Sequence, residues 1–370
     1  MPRDVSDAWL RAYEVSWMNP SSPYLQAASV RVRLEAARDR LSSILGCDSG
    51  EVVFNSGATE GNNAILAFLG ETCPQGKRVL ASVMEHPSVI EPVRRFVQDR
   101  VEWLEVGRDG LVNLAMLQER LKSGDIHAVI MMAANNETGI LAPWSEVRDL
   151  CRAEGVFYHC DAVQWMGKLP AEGLGGCSFV TGCAHKFGGP KGCGFIKVPG
   201  GVGPISLMAG GFQEKGHRPG TENYPSIEGM LSALESCVTG DPSSRDAFEA
   251  IVQEKVPGTV VVGSESPRLW NTSMLILPEF SNTRWVNCLS SMDFLVSTGS
   301  ACATAKEGSS HVLAAMSFSP EEASRAVRAS GGWSTSRQDW LNLADAIVEV
   351  YVKLTADKGS VNGGGQVIEP

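Results

Sequence analysis

The chain has 370 residues, 43% of them hydrophobic and 20% charged, with a formal net charge of −10. That is the make-up of an ordinary globular protein with more chain than a single hydrophobic core takes up. The carboxylates are scattered rather than blocked, which argues against nucleic acid as a direct partner, and no run of eighteen apolar residues or basic-then-apolar leader points to a membrane, so the expectation is a cytoplasmic protein.

The apolar spacing predicts a helix over 25–46, ending at Gly46, and a short strand over 51–54. The run Asn55-Ser56-Gly57-Ala58-Thr59-Glu60-Gly61 then leads into a helical stretch from Asn62 to Leu69. Such a strand-to-helix junction offers backbone N–H groups to a phosphate, with Thr59 adding a hydroxyl; on its own it reads equally well as a cap. Strands follow at 78–83, 126–133, 156–160, 178–181 and 193–198, separated for the most part by helices such as 88–99, 114–122 and 144–154. This alternation predicts an α/β fold with a mostly parallel sheet between helices.

Gly210-Gly211 and Pro219-Gly220 mark a long exposed loop, and a helix near 226–239 carries the chain out of the first domain. From about residue 245 the pattern is a smaller α/β unit, with strands near 258–263, 270–277 and 293–297 and helices near 309–316, 319–328 and 336–354. The expected divisions are an N-terminal segment 1–18, a large domain 19–240, a small domain 241–356 and a disordered Gly-rich polar tail 357–370.

Four polar loops follow the parallel strands, and in an open sheet such loops converge on one crevice. Asp161 closes the strand at 156–160, placed either to cap the next helix or to pair with a protonated heteroaromatic nitrogen, with Gln164 one turn on. His86 follows the strand at 78–83, where a lone histidine is as readily structural as functional, and Asn135-Asn136-Glu137-Thr138-Gly139 follows the strand at 126–133. Lys186, hemmed by small residues before a Gly/Pro-rich turn, reads as a buried amine, and a buried amine loses its proton and forms Schiff bases with aldehydes.

The ten cysteines include no C-x-x-C pair and predict no metal site. Most read as reduced core fillers. Cys302 differs: the surrounding Ser-Thr-Gly-Ser-Ala-Cys-Ala-Thr-Ala-Lys is small, polar and flexible, which suits an exposed reactive thiol. A phosphate cradle, a histidine, an acidic partner for a ring nitrogen and a Schiff-base lysine together describe a pyridoxal 5′-phosphate site.

These runs, with Asn19-Pro20-Ser21-Ser22, Gly220-Thr221-Glu222-Asn223 and Ser297-Thr298-Gly299-Ser300-Ala301-Cys302, closely resemble the class V aminotransferase family of fold-type I pyridoxal-phosphate enzymes, over about residues 11–354. Within it, the chain looks like a long-loop cysteine desulfurase, of the group that supplies sulfur to iron–sulfur clusters. The resemblance implies that residues 19–240 hold pyridoxal 5′-phosphate. Ala58, Thr59, Cys183 and His185 would hold its phosphate, and Thr221 that of the neighbouring subunit in a homodimer. Lys186 would be its Schiff-base lysine and proton-transfer base, Asp161 the partner of the ring nitrogen, Gln164 the donor to its phenolic oxygen and His86 the residue stacked on its ring. Asn136 would position ring and substrate, and Arg328 would clamp the carboxylate of L-cysteine. Cys302 would take the sulfur as a persulfide, leaving alanine, and hand it to an acceptor protein. Two other readings are a related lyase acting on selenocysteine or cysteine sulfinate, and a non-catalytic paralogue serving as a scaffold.

The chain departs from the family pattern at several places. The opening strand with its Tyr-Leu-Asp-Asn-Asn-Ala-Thr-Thr-type loop is absent, which leaves the segment 1–18 shorter than in the family. Pro23-Tyr24 follows Asn-Pro-Ser-Ser in place of a histidine, and Gly331-Gly332-Trp333 replaces a Leu-Gly-Arg ending. Cys183 stands where the family has a hydroxyl to donate to the phosphate, and a thiol is the weaker donor.

Overall fold

The structure, a computed structural model, describes residues 1–299 and 310–362. By its contacts the chain falls into two units, one of Met1–Asn135 with Leu141–Thr239 and one of Asn136–Ile140 with Gly240–Pro370.

Seven strands build the first unit: β1 (Val52–Asn55), β2 (Arg78–Ser82), β3 (Val101–Leu104), β4 (Ile126–Ile130), β5 (Phe157–Asp161), β6 (Phe179–Cys183) and β7 (Gly194–Lys197). Their order is β1-β7-β6-β5-β4-β2-β3, with β2 to β6 parallel to their neighbours and β7 antiparallel to both β1 and β6. Alternate residues feed two separate cores. Val129, Tyr158, Cys160 and Val180 face one, which the helices Leu25–Leu45 and Tyr224–Ser236 close with Leu34, Leu41, Ile227 and Met230. Ala128, Ile130 and Phe179 face the other, closed by Ile65, Leu66 and Leu69 of the helix Ala58–Thr72. Burial of both faces is why these strands read as nearly continuous apolar runs.

Two local expectations change here. The segment expected as one helix over 88–99 is an α-helix Pro87–Pro92, a π-turn Val93–Val97 and a 3₁₀ turn Gln98–Arg100, because Pro92 breaks the regular ladder. The edge strand β3 behind it was not anticipated; all its residues are only half-buried, so it lacks the apolar signal of the central strands.

The second unit carries a three-stranded antiparallel sheet, β8 (Val260–Val261), β9 (Thr272–Ile276) and β10 (Ala326–Ser330), in the order β10-β9-β8. The helices Ser243–Lys255 and Arg337–Asn362 pack on each other through Phe248 and Trp340, whose rings lie 5.1 Å apart, and Trp285 of the helix Asn282–Ser290 stacks on Tyr351. The excursion Asn136–Ile140 belongs to this unit through Ile140, bridged to Arg268, and the Gly139 carbonyl, which accepts from Leu269 N–H at 2.8 Å.

Four expectations for this unit are corrected. The helices Ser243–Lys255 and Asn282–Ser290 were not foreseen. The expected strand at 293–297 is irregular and pairs only at Ser297, bridged to Arg328. The expected helix at 319–328 is a four-residue helix Pro320–Ala323, started by a capping box of Ser319 and Glu322, followed directly by β10. Arg328 is therefore a strand residue, held there by pairing with Met274 of β9. The last helix runs on to Asn362, past the expected tail boundary at 356, and Lys358 secures it by an ion pair with Glu279 at 3.0 Å and a place over the Phe280 ring. Among the described residues no helix is long and apolar enough to cross a membrane.

Gly182 lets β6 lie against β7: a Cβ there would stand 2.3 Å from the Phe195 ring. Gly182→Val is expected to destabilise the protein by about 2–3 kcal/mol through overpacking, whereas Gly203→Ala, with open space around it, leaves the urea midpoint followed by circular dichroism where it was. Equal midpoints for the two variants would contradict this packing.

Candidate active site

The site starts from the register of β5 and β6. Asp161 pairs with Thr181, so the chain leaving β6 toward Lys186 begins level with the last residue of β5. Asp161 is 6% exposed, and its carboxylate accepts from Val163 N–H at 3.0 Å and from Asn62 Nδ2 at 2.9 Å. Burial raises its pKa, while Val163 N–H, Asn62 and the nearby His86 and Lys186 oppose that shift. Neither hydrogen-bond donor is a cation, so the pocket around Asp161 favours a positive ligand group.

Asn62 was read only as the start of a helical stretch, yet it links the site's parts. Its Nδ2 also reaches Ser88 Oγ at 3.1 Å, and Ser88 Oγ lies 2.8 Å from His86 Nδ1. Because Ser88 N–H donates to Nδ1 at 3.0 Å, a neutral His86 carries its proton on Nε2. His86 is thus both the N-cap of the helix Pro87–Pro92 and the end of a chain of hydrogen bonds to Asp161.

The start of the helix Ala58–Thr72 has no side-chain cap, and Gly57 turns into it with φ 143°. The Cys183 sulfur receives the backbone N–H groups of Ala58 and His185 and lies 3.0 Å from His185 Nδ1. Burial pushes this thiol's pKa up against those N–H groups, so it stays protonated. Ala58, Cys183 and His185 therefore meet, as expected for a phosphate cradle, and Thr59 lies exposed in the same first helical turn. Ser56 is drawn away to Glu60, which also pairs with Arg218 at 3.1 Å.

Lys186 lies on the 3₁₀ turn Ala184–Phe187, where Ala184 and Phe187 are buried and His185 and Lys186 are exposed. The expectation of a buried amine is corrected: its two apolar neighbours occupy the interior and turn it outward. Its charge still reaches the site, since it opposes the upward shift of Asp161 and lowers the pKa of Lys168. Gln164, half-buried, accepts from Lys168 Nζ at 3.1 Å. Thr221 is exposed in the loop before the helix Tyr224–Ser236.

Glu85, beside His86 in sequence, is fully buried, and its Oε1 accepts from Met132 N–H at 2.5 Å. Burial, and then Asp161, push its pKa well above the usual glutamate value. The sequence signal was available, an acidic residue inside a strand-end motif, but its burial was not.

In the second unit, Arg328 Nη1 donates to the Asn136 carbonyl at 2.8 Å. Burial lowers the Arg328 pKa and Glu137 opposes the shift. Glu137 is 1% exposed and accepts from Ser310 Oγ at 2.5 Å. Asn136 thus holds the guanidinium through its backbone. Cys302 lies outside the described residues.

The chain matches the family model for class-V aminotransferases over residues 1–340. It is 31% identical over 368 residues to "Cysteine desulfurase IscS" of Dictyoglomus turgidum, covering 95% of this chain and 92% of that one. Among solved structures it is similar to a NifS-like protein, with a TM-score of 0.85 and 28% identity over 95% of this chain and 96% of the other. It is also similar to "SspA in complex with cysteine", with a TM-score of 0.78 and 25% identity over 89% and 95% of the two chains.

Two outcomes follow from the buried groups. A carboxyl whose folded pKa lies above its unfolded value of 4.5 costs stability once pH rises above that value. Glu85→Gln is therefore expected to gain on the order of 1 kcal/mol or more over the native protein between pH 5 and pH 9; urea midpoints that run parallel across this range would refute it. Cys183→Ser, which restores a hydroxyl donor, should tighten pyridoxal 5′-phosphate binding by about threefold to tenfold in equilibrium titrations, and unchanged or weaker binding would count against the cradle.

Proposed function

The chain belongs to the class-V aminotransferase family and is a cysteine desulfurase, and from that premise we propose that pyridoxal 5′-phosphate occupies the crevice between Asp161, Lys186 and the Ala58–Cys183–His185 cradle. The observation that carries the proposal is Asp161, a buried carboxylate that accepts from an amide and a backbone N–H. A protonated pyridine nitrogen supplies the cation such a carboxylate needs. The donor set fits the rest of the group: N–H groups at a helix start for a phosphate, an amine for an aldehyde and an amide for a phenolic oxygen.

When bound, this cofactor supplies an electron sink for the charge left as the substrate's Cα–H bond breaks. Asp161 would keep the ring nitrogen protonated, its carboxylate held in place by the hydrogen bonds from Asn62 and Val163. Lys186 Nζ would hold the aldehyde group and would be the base for the substrate's Cα proton. Gln164 would donate to the phenolic oxygen and His86 would lie against the ring, its Nδ1 already accepting from Ser88 N–H. Arg328 and Asn136 receive L-cysteine, the guanidinium matching its carboxylate in bidentate fashion.

Cys302 completes the transfer. A sulfur–sulfur bond forms between the Cys302 thiolate and the substrate sulfur, and the substrate's Cβ–S bond breaks. L-cysteine leaves as L-alanine and Cys302 is left as a persulfide, with no outside oxidant or reductant. An acceptor protein then takes the persulfide sulfur. The enzyme works in the cytoplasm, where the free state of the nine described cysteines is at home, and as a homodimer in which Thr221 serves the neighbouring phosphate.

The visible spectrum of the purified protein before and after L-cysteine, with alanine measured as product, tests cofactor, substrate and reaction together. Cys302→Ser is expected to lower alanine formation by on the order of a hundredfold while leaving the cofactor band in place. Arg328→Lys should raise KM by about tenfold. Full cysteine turnover by Cys302→Ser would overturn the persulfide mechanism and favour a lyase that needs no protein thiol.

A further inference from the structure

A buried amine beside Gln164 has no task in the mechanism. Lys168 is 5% exposed, and its Nζ donates to both the backbone oxygen of Gln164, at 3.0 Å, and its side-chain Oε1, at 3.1 Å. The turn that carries it is closed by Met166 N–H and Lys168 N–H, bonded to Ala162 O and Trp165 O. At Gly167, which has φ +74°, an added Cβ would lie 2.3 Å from the Phe187 side chain. The turn after Asp161 is therefore pressed against the turn bearing Lys186, at a residue where only glycine fits.

The donor–acceptor pattern decides which way the Gln164 amide faces. A lysine nitrogen in its usual charged form only donates, so Oε1 must be the end that meets it; the flipped amide would set NH₂ against Nζ and lose that bond. With its oxygen engaged, the amide keeps its NH₂ end turned away from Lys168 and available as a donor. We propose that Lys168 is a positioning residue for the desulfurase reaction: it locks the Gln164 amide in the orientation that donates to the cofactor's phenolic oxygen. The proposal rests on the cofactor reading above. Burial in this turn, with repulsion from Lys186, pushes the Lys168 pKa down to about 7 against the pull of Cys237. The lock holds while Nζ keeps its third proton, because a neutral amine has a lone pair to which a flipped amide could donate.

The test is a double-mutant cycle read out by the dissociation constant of pyridoxal 5′-phosphate and the position of its visible band. Lys168→Met is expected to weaken cofactor binding by about fivefold and to shift the band. Gln164→Ala should do the same, and the double variant should be no worse than the more affected single one. Lys168→Arg, which keeps a long donor, should regain most of the native affinity and band. Circular dichroism and the urea midpoint verify folding; if Lys168→Met does not fold, Lys168→Gln, too short to reach Oε1, takes its place with the same expectations. A native-like band and affinity in the folded lysine variant, or additive losses in the double variant, would overturn the proposal. A native protein that shows no band with added cofactor would overturn the cofactor reading, and this inference with it.

Discussion

A negative charge held inside the first unit is the constraint on which the site depends. Asp161 sits at the end of β5 with two neutral donors on its oxygens, and an ionised carboxylate is costly in such a place unless a cation answers it. The surrounding residues follow from that need. Asn62 donates to the carboxylate from inside the helix Ala58–Thr72, Ser88 ties His86 into the same chain, and Lys186 lies near enough to be felt. Glu85, close by and more strongly shifted, is the carboxyl that takes up a proton first.

The sheet places this charge without special loops. Strands β2, β4, β5 and β6 run parallel, so the chain leaves each of them at the same edge. Asp161, Lys186 and His86 could therefore be grouped from the sequence, because apolar runs ending in polar residues mark such edges. The junction at Ala58 and Thr59 stood out in the same way, from small residues between a strand and a helix, whereas Cys183 and His185 were named only through the family resemblance.

What stayed hidden depended on tertiary pairing. Ala326 to Ser330 has helical composition beside Glu321 and Glu322, and only its bonds to β9 and to Ser297 make it a strand. Its edge position also explains β3, where half-buried residues give no clear period. The exposure of Lys186 could not be read from its neighbours either, since small residues suit an outward turn as well as an interior. Lys168, in a Gly-Lys-Leu-Pro turn, carries no local signal of burial; Gly167 packs that turn against Phe187. Neither lysine's environment is legible locally, for one reason: burial is decided by what packs across, and that is remote in sequence.

The excursion Asn136–Ile140 carries a consequence for how the molecule is made. Its partners Arg268 and Leu269, and the Arg328 that binds Asn136, are more distant in the chain than the whole sheet from β4 to β7. At a synthesis rate of roughly 5–20 residues per second, the excursion leaves the ribosome several seconds or more before any of them exists. Asn135 meanwhile completes the first unit, with its amide on the Met84 carbonyl. The second unit is therefore not a module that could be cut away at residue 240 and moved to another protein. It inherits its arginine-binding carbonyl from the first half of the gene, so the two halves can exchange partners in evolution only together.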